Sequence, residues 1–367
     1  MSRLTCGFIG LGLIGGSIAR ALRQHFPDTA IVAYDVNQES LKLAKDEGIV
    51  DVIAEGIDHN FRTCDYLFLC APVQRNDGNL EAVKKVLSPE CVLTDVGSVK
   101  TGIHEAVRQA GLETCFIGGH PMAGSERVGF VNSKASLLEN AYYILTPSPT
   151  VSPNKVDAFR QLVAELGAIP LILDCEQHDY VTAAISHLPH VVASSLVNLI
   201  RESDSDEGTM RMIAAGGFKD ITRIASSSPV MWQQICLTNR ENISELLSQY
   251  IKTLTDFKKV IDQSDADGLY QRFDAARIYR DSFASASSGP IKRSFSINVD
   301  IADKAGALAH IVTLLAEQNL SIKNIAITHN RESEDGVLRV EFYQEDSMEI
   351  GCELLTKTGY SVHMHRM

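Results

Sequence analysis

The run Gly118-Gly119-His120-Pro121-Met122-Ala123-Gly124-Ser125-Glu126 sets one imidazole in glycine-rich surroundings just past an apolar segment. An imidazole titrates near neutral pH and suits a general base. The pattern predicts a strand at 114–117 with His120 in the turn after it. Three other segments hold polar residues in apolar or glycine-rich company. They are Asp95-Val96-Gly97-Ser98-Val99-Lys100, Ser186-His187-Leu188-Pro189-His190 and Gly216-Gly217-Phe218-Lys219-Asp220-Ile221-Thr222-Arg223. The first follows a strand, at the edge where open α/β sheets bind ligands. Lys100 reads as a solvated residue of a helix's first turn, and Ser98 as that helix's N-cap or a ligand contact.

Upstream, Gly10, Gly12 and Gly15 form G-x-G-x-x-G after an apolar strand (5–9) and at the start of a helix (13–22). In that context the glycines allow a tight turn, close approach of the backbone to a pyrophosphate, and close helix–strand packing. Leu13 and Ile14 open the helix, whose unpaired N–H groups would face the phosphates. Asp35 ends the next strand, 20 residues past Gly15. Its carboxylate suits ribose hydroxyls and repels a 2′-phosphate, and Val36-Asn37 brings no arginine, so the cofactor read here is NAD. A base at His120 beside a nicotinamide would take a proton while the ring takes a hydride.

The positioning elements follow a clear order. Strands are expected at 5–9, 30–34, 65–70, 91–95, 114–117, 142–145 and 170–173, with helical patterns between them. Near-continuous apolar strands of that kind indicate a Rossmann-type, doubly wound α/β sheet. Residues 174–284 read as an all-helical domain. In it, 186–200 is apolar almost all round and is expected to be buried on every side, between subunits of a homodimer. Residues 239–261 form an amphipathic helix. A Ser-rich, Pro-terminated stretch beginning near Ser282 marks a linker, bounded at 285–293. Residues 294–367 then follow a βαββαβ order, the ferredoxin-like arrangement.

The chain has 367 residues, a formal net charge of −12 and 45% hydrophobic residues. No basic face suggests nucleic acid. No apolar run approaches the ~20 residues that span a bilayer, and no signal peptide is read at the N-terminus. Eight scattered cysteines without a C-x-x-C pair argue for buried thiols in a reducing cytoplasm, and against zinc or any other metal. An anionic substrate would be repelled by the global field, so its site must gather Arg, Lys and His.

The five motifs, in this order from residue 7 to 223, resemble the prephenate/arogenate dehydrogenases of tyrosine biosynthesis. The tail, through Asp303-Lys304-Ala305-Gly306-Ala307-Leu308, resembles an ACT domain, with Ala305 where Pro is common. The resemblance implies NAD-dependent oxidative decarboxylation of prephenate to 4-hydroxyphenylpyruvate. It makes His120 the base, sets Ser98 beside the substrate hydroxyl, and gives Arg223 a substrate carboxylate. It puts His178 and His190 in the pocket wall, with His187 a packed neighbour, and lets Glu126 close the site. It also implies L-tyrosine as an effector of the C-terminal module. Two alternatives stay open: arogenate as substrate, whose amine Glu126 would pair with, and a sensor that has lost catalysis. A β-hydroxyacid dehydrogenase would carry a G-x-x-x-N-K helix, which is not found.

Overall fold

The structure is a computed structural model that describes residues 3–124, 127–285, 295–301, 304, 306–329 and 336–366. The first part alternates strands and helices. In order these are β1 (Thr5–Ile9), α1 (Leu13–His25), β2 (Ala30–Tyr34), α2 (Gln38–Asp46), β3 (Val52–Ile53), β4 (Tyr66–Leu69) and α3 (Val73–Lys84). Next come β5 (Val92–Asp95), α4 (Thr101–Ala110), β6 (Ile117–Pro121), β7 (Tyr142–Pro147), α5 (Pro153–Glu165) and β8 (Ile169–Ile172). Strands β3-β2-β1-β4-β5 pair in parallel in that order. A parallel bridge from Leu93 to Phe116 leads to a second sheet, β6-β7-β8, in which β6 runs antiparallel to β7. Successive residues feed opposite faces: Phe8 and Phe68 enter one buried core, while Ile9, Leu67 and Leu69 enter the other. Both faces are covered, which is why these strands read as continuous apolar runs.

The strand expected at 114–117 forms elsewhere. Glu113–Cys115 is a 3₁₀ turn, and β6 begins at Ile117 and carries His120 within it, not in a turn beyond it. Glycines and a proline are poor strand formers, but here close packing decides. A Cβ on Gly119 would stand 2.6 Å from the Asp95 carbonyl oxygen, so only glycine lets β6 lie this close to the end of β5.

Helices then take over: α6 (Cys175–Thr182), a π turn (Ala183–His187), α7 (Leu188–Ser203), α8 (Thr209–Ile213), α9 (Gly216–Thr222), α10 (Pro229–Thr238), α11 (Arg240–Asp262) and α12 (Ala266–Ser285). Pro189 sits in the first turn of α7 and lacks an N–H. The wider turn before it absorbs that lost bond, and such π turns gather at functional sites. Together Cys175–Ser203 is one helical stretch of 29 residues, long and apolar enough by length and composition to cross a bilayer. No single apolar run in the sequence suggested this, and the stretch carries four of the site's polar residues. The expected burial on every side is not met within one chain: of α7 only Ala193 is buried, while Leu199 is 57% exposed. The apolar stripe of α11 is likewise buried at Ile243 and Leu246 and exposed at Ile251 and Leu254.

The chain divides into two compact units, residues 1–259 and 260–367. In the second, Ser282–Ser285, expected in the linker, are the last residues of α12. Residues 286–294 lie outside the described residues. Beyond them stand β9 (Phe295–Ile301), α13 (Ala307–Glu317), β10 (Ile322–His329), β11 (Gly336–Phe342), α14 (Glu345–Lys357) and β12 (Val362–Arg366). The four strands form an antiparallel sheet in the order β10-β11-β9-β12, with Ile297, Val299, Leu338 and Val340 packed against Ile311, Leu315 and Leu355.

Candidate active site

The glycine loop between β1 and α1 is a cradle for an anion. Gly10 has φ +98°, and a Cβ on it would meet the Ala71 amide nitrogen at 2.6 Å. A Cβ on Gly15 would meet the Gly10 carbonyl oxygen at 2.7 Å, so β1 and α1 close together here. Above Gly12, by contrast, nothing lies within 4 Å of where a Cβ would be. No side chain caps α1 and no acidic residue occupies its first turn. The N–H groups at Leu13 and Ile14 thus head a helix whose positive end faces open space. Asp35 holds the loop in shape, since its Oδ2 accepts from Leu11 N at 2.5 Å and its Oδ1 from Asn37 N at 2.7 Å. Each oxygen keeps a lone pair for a ribose hydroxyl. These residues fit a dinucleotide.

The next strand ends carry the polar residues singled out in the sequence. Ser98 sits, half-exposed, in the bend between β5 and α4. It is not the cap of α4. That helix is capped from a distance by Asp179 of α6, whose Oδ1 accepts from Lys100 N at 2.7 Å and whose Oδ2 accepts from Thr101 N at 2.8 Å. Lys100 is fully buried, against the expectation of a solvated residue. Its Nζ donates to Asp95 Oδ2 and, at 2.7 Å, to the carbonyl of Gly119. Asp95 Oδ1 in turn accepts from Gly119 N at 3.2 Å, so the ion pair grips both ends of the residue before His120.

His120 lies half-buried on β6, and its Nδ1 meets His178 Nε2 at 2.8 Å. His178 Nδ1 then meets Asp179 Oδ1 at 2.7 Å. His178, expected to line the pocket, is wholly buried, with its Nε2 against His120. His187 is buried too, accepting from Asn239 Nδ2 at 3.2 Å. His190, one turn on, stacks on Trp232 with ring centroids 3.6 Å apart and bonds the backbone of Ile224. The exposed Arg223 follows α9 and lies near enough for its charge to act on His190. The structure therefore brings Arg223 and His190 together. Glu126 lies outside the described residues. Sequence reasoning missed Asp95, Lys100, Asp179, Asn239 and Trp232. The one available signal was two opposite charges, Asp95 and Lys100, across a glycine turn in an apolar context.

The electrostatics favour a neutral base. Burial, then the charges of His178, Lys100 and His187, holds the His120 imidazole well below its ordinary value. Burial lowers His187 to about 4, only partly opposed by Asp179. Burial and Lys100 lower His104 as well. Burial raises the Asp179 carboxyl, but bonds from His178, Thr101 and the Lys100 amide outweigh this and keep it ionised below the usual range. Depressed imidazoles bind fewer protons folded than unfolded, so their contribution to stability is present above the unfolded value near 6.5 and lost below it. Denaturant unfolding between pH 7 and 4 should show stability falling as pH drops. His187 alone accounts for on the order of 3 kcal/mol by pH 4. A flat profile would contradict this.

A dinucleotide cradle, a neutral base on the adjoining strand end and a cationic group beyond it define a nicotinamide-dependent dehydrogenase. Comparison with known proteins narrows the class. Residues 18–171 match the family model for the prephenate dehydrogenase nucleotide-binding domain, and residues 174–275 match that for the prephenate dehydrogenase dimerization domain. The chain is 36% identical over 339 residues to the prephenate dehydrogenase of Bacillus subtilis, covering 92% of this chain and 91% of that one. A crystal structure of prephenate dehydrogenase from A. aeolicus, in complex with hydroxyphenyl propionate and NAD+, superposes with TM-score 0.73 at 32% identity. It covers 77% of this chain and 99% of its own. Synechocystis arogenate dehydrogenase superposes with TM-score 0.69 at 28% identity, covering 76% of this chain and all of the other. The chain belongs to the prephenate dehydrogenase family, is an NAD-dependent oxidoreductase, and has NAD as its cofactor.

Proposed function

We propose that this chain oxidatively decarboxylates prephenate to 4-hydroxyphenylpyruvate, with His120 as the base and Ser98 orienting the hydroxyl. The observation that carries the reading is a neutral imidazole, backed by His178, at the carboxyl edge beside the dinucleotide cradle. Bound through Gly10, Gly12, Leu13, Ile14, Gly15 and Asp35, NAD supplies the hydride acceptor. His120 takes the hydroxyl proton as the carbon-bound hydrogen leaves with its electron pair, giving a ring ketone. The ring carboxylate then departs as CO₂, and its bonding pair enters the ring, which becomes aromatic. The resulting phenolate recovers the proton from His120. Aromatisation drives the step, so the protein has mainly to hold geometry and handle one proton.

Arg223 pairs with a substrate carboxylate, His190 supplies a second contact, and Glu126 closes the site. Arg223→Ala is expected to raise KM for prephenate at least tenfold with a smaller change in kcat, as steady-state kinetics would show. An unchanged KM would reassign Arg223 to structure. Arogenate is the second reading, favoured by the likeness to the Synechocystis enzyme.

Residues 1–173 serve as the Rossmann domain, 174–284 as the substrate and dimerization domain, 285–293 as a linker and 294–367 as a ferredoxin-like ACT domain. The βαββαβ order and the strand order β10-β11-β9-β12 support the last. The exposed apolar residues of α7 and α11 support a homodimer through the helical region. Eight free thiols support a cytoplasmic setting. L-tyrosine is the proposed effector. One experiment tests the whole: NAD reduction with prephenate against arogenate, with and without tyrosine, in the full chain and after deletion of 290–367. Prephenate should be the better substrate, and tyrosine should inhibit only the full chain. No turnover of either substrate would revive the sensor alternative, and inhibition that survives the deletion would remove the ACT role.

A further inference from the structure

The helix cap and the base are joined in one closed hydrogen-bonded ring. It runs from Asp179 to His178, to His120, along the backbone to Gly119, to the Lys100 side chain, and through the Lys100 amide back to Asp179. A carboxylate can only accept. His178 Nδ1, 2.7 Å from Asp179 Oδ1, must therefore carry the proton of that bond. When His178 carries only that proton, its Nε2 is bare and can only accept. His120 Nδ1, 2.8 Å away, must donate to it. The atom left on His120 to accept a proton is then Nε2.

We propose that Asp179 is a positioning residue that, through His178, fixes His120 as the Nδ1–H tautomer and so keeps Nε2 free as the proton acceptor. Asp179 touches neither substrate nor cofactor in this account, and acts through His178. Its three other bonds, to the amides of Lys100 and Thr101 and to the Thr101 hydroxyl, tie the carboxylate to the start of α4. That fixes its direction, and a fixed acceptor selects a tautomer where a swinging one would not. The ring's other arm, Lys100 on the Gly119 carbonyl, holds the strand that carries His120. The sequence hides all of this, because Asp179 reads as an ordinary polar residue early in a helix.

The proposed role presupposes His120 as the base, yet its test does not depend on turnover. In the full chain labelled with ¹⁵N-histidine, the nitrogen shifts of His120, assigned by their loss in His120→Asn, report which nitrogen holds the proton. Wild type is expected to show Nδ1 protonated and Nε2 bare near neutral pH. Protonation at Nε2 instead would overturn the proposal, even if Asp179 variants fail to fold. In Asp179→Ala both tautomers should appear and kcat should fall tenfold or more, with NAD affinity kept. Thr101→Ala removes the hydroxyl bond to Asp179 but leaves both amide bonds that fix the carboxylate, so it should lower Tm while leaving the His120 shifts and kcat as in wild type. Loss of kcat in Thr101→Ala equal to that in Asp179→Ala, with unmoved shifts in both, would reduce Asp179 to a helix cap. Full turnover in His120→Asn would remove the base assignment and leave the tautomer result standing.

Discussion

Replacing His120 with Asn should leave NAD affinity near that of wild type and lower kcat by about 10² or more. That is the usual scale for loss of a general base. Asparagine keeps a hydrogen-bonding side chain of similar length on β6 but cannot accept a proton at neutral pH, so the defect should lie in kcat. The proposed nucleotide contacts lie on the β1–α1 loop and Asp35, which His120 does not touch in any described bond. Fluorescence titration with NADH and steady-state kinetics with prephenate check the two halves. Turnover within a few-fold of wild type would remove His120 from the chemistry. A parallel loss of NAD affinity would mean that β6 itself had moved.

The largest effect on stability is expected at Lys100. Its ammonium is buried with Asp95, and burial pulls it below its ordinary value even though Asp95 and Asp179 oppose this. Lys100→Ala strands the Asp95 carboxylate in the interior and frees the Gly119 carbonyl. Breaking a buried pair from one side costs about 3–5 kcal/mol. In a domain of this size that lowers Tm by roughly 10 °C. Lys100→Met combined with Asp95→Asn removes both charges and should recover a large part of the loss, because the penalty is mostly that of an unpaired buried charge. Thermal unfolding of the single and double variants decides it. A single variant as stable as wild type would mean the ion pair carries no structural weight. Because the pair grips both sides of Gly119, the single variant should also lose activity beyond its loss of folded protein.

These effects explain which parts of the molecule were legible in the sequence. β1 and β2 form where the apolar runs lie, because strands buried on both faces need no partner-specific pattern. The cradle was equally readable, since G-x-G-x-x-G states a backbone requirement through residue type alone. The segment around His120 was not. Gly118 and Gly119 look like a turn until Thr146, His104 and Lys100 pack against the first and β5 and Tyr143 against the second, and tertiary contacts then override local preference. Pro189 signals a helix start but not the π turn before it, which depends on α6 continuing unbroken. The charge of Lys100 reads as solvent-facing from spacing alone, and only the fold shows that it points inward. Asp179 is the same case across about 80 residues of sequence, and no local pattern announces a carboxylate that caps a helix so far upstream. The apolar surplus on α7 was legible, but the burial expected on every side is not met: among the described residues of α7 only Ala193 is buried.

The most direct measurement is a crystal structure of the chain with NAD and 4-hydroxyphenylpyruvate. The phenolic oxygen should lie within about 3.2 Å of His120 Nε2, with Nδ1 still bonded to His178 and the nicotinamide over the carbon that bears the oxygen. An imidazole turned from the cleft, or a phenolic oxygen held by other groups with His120 out of reach, would contradict the account.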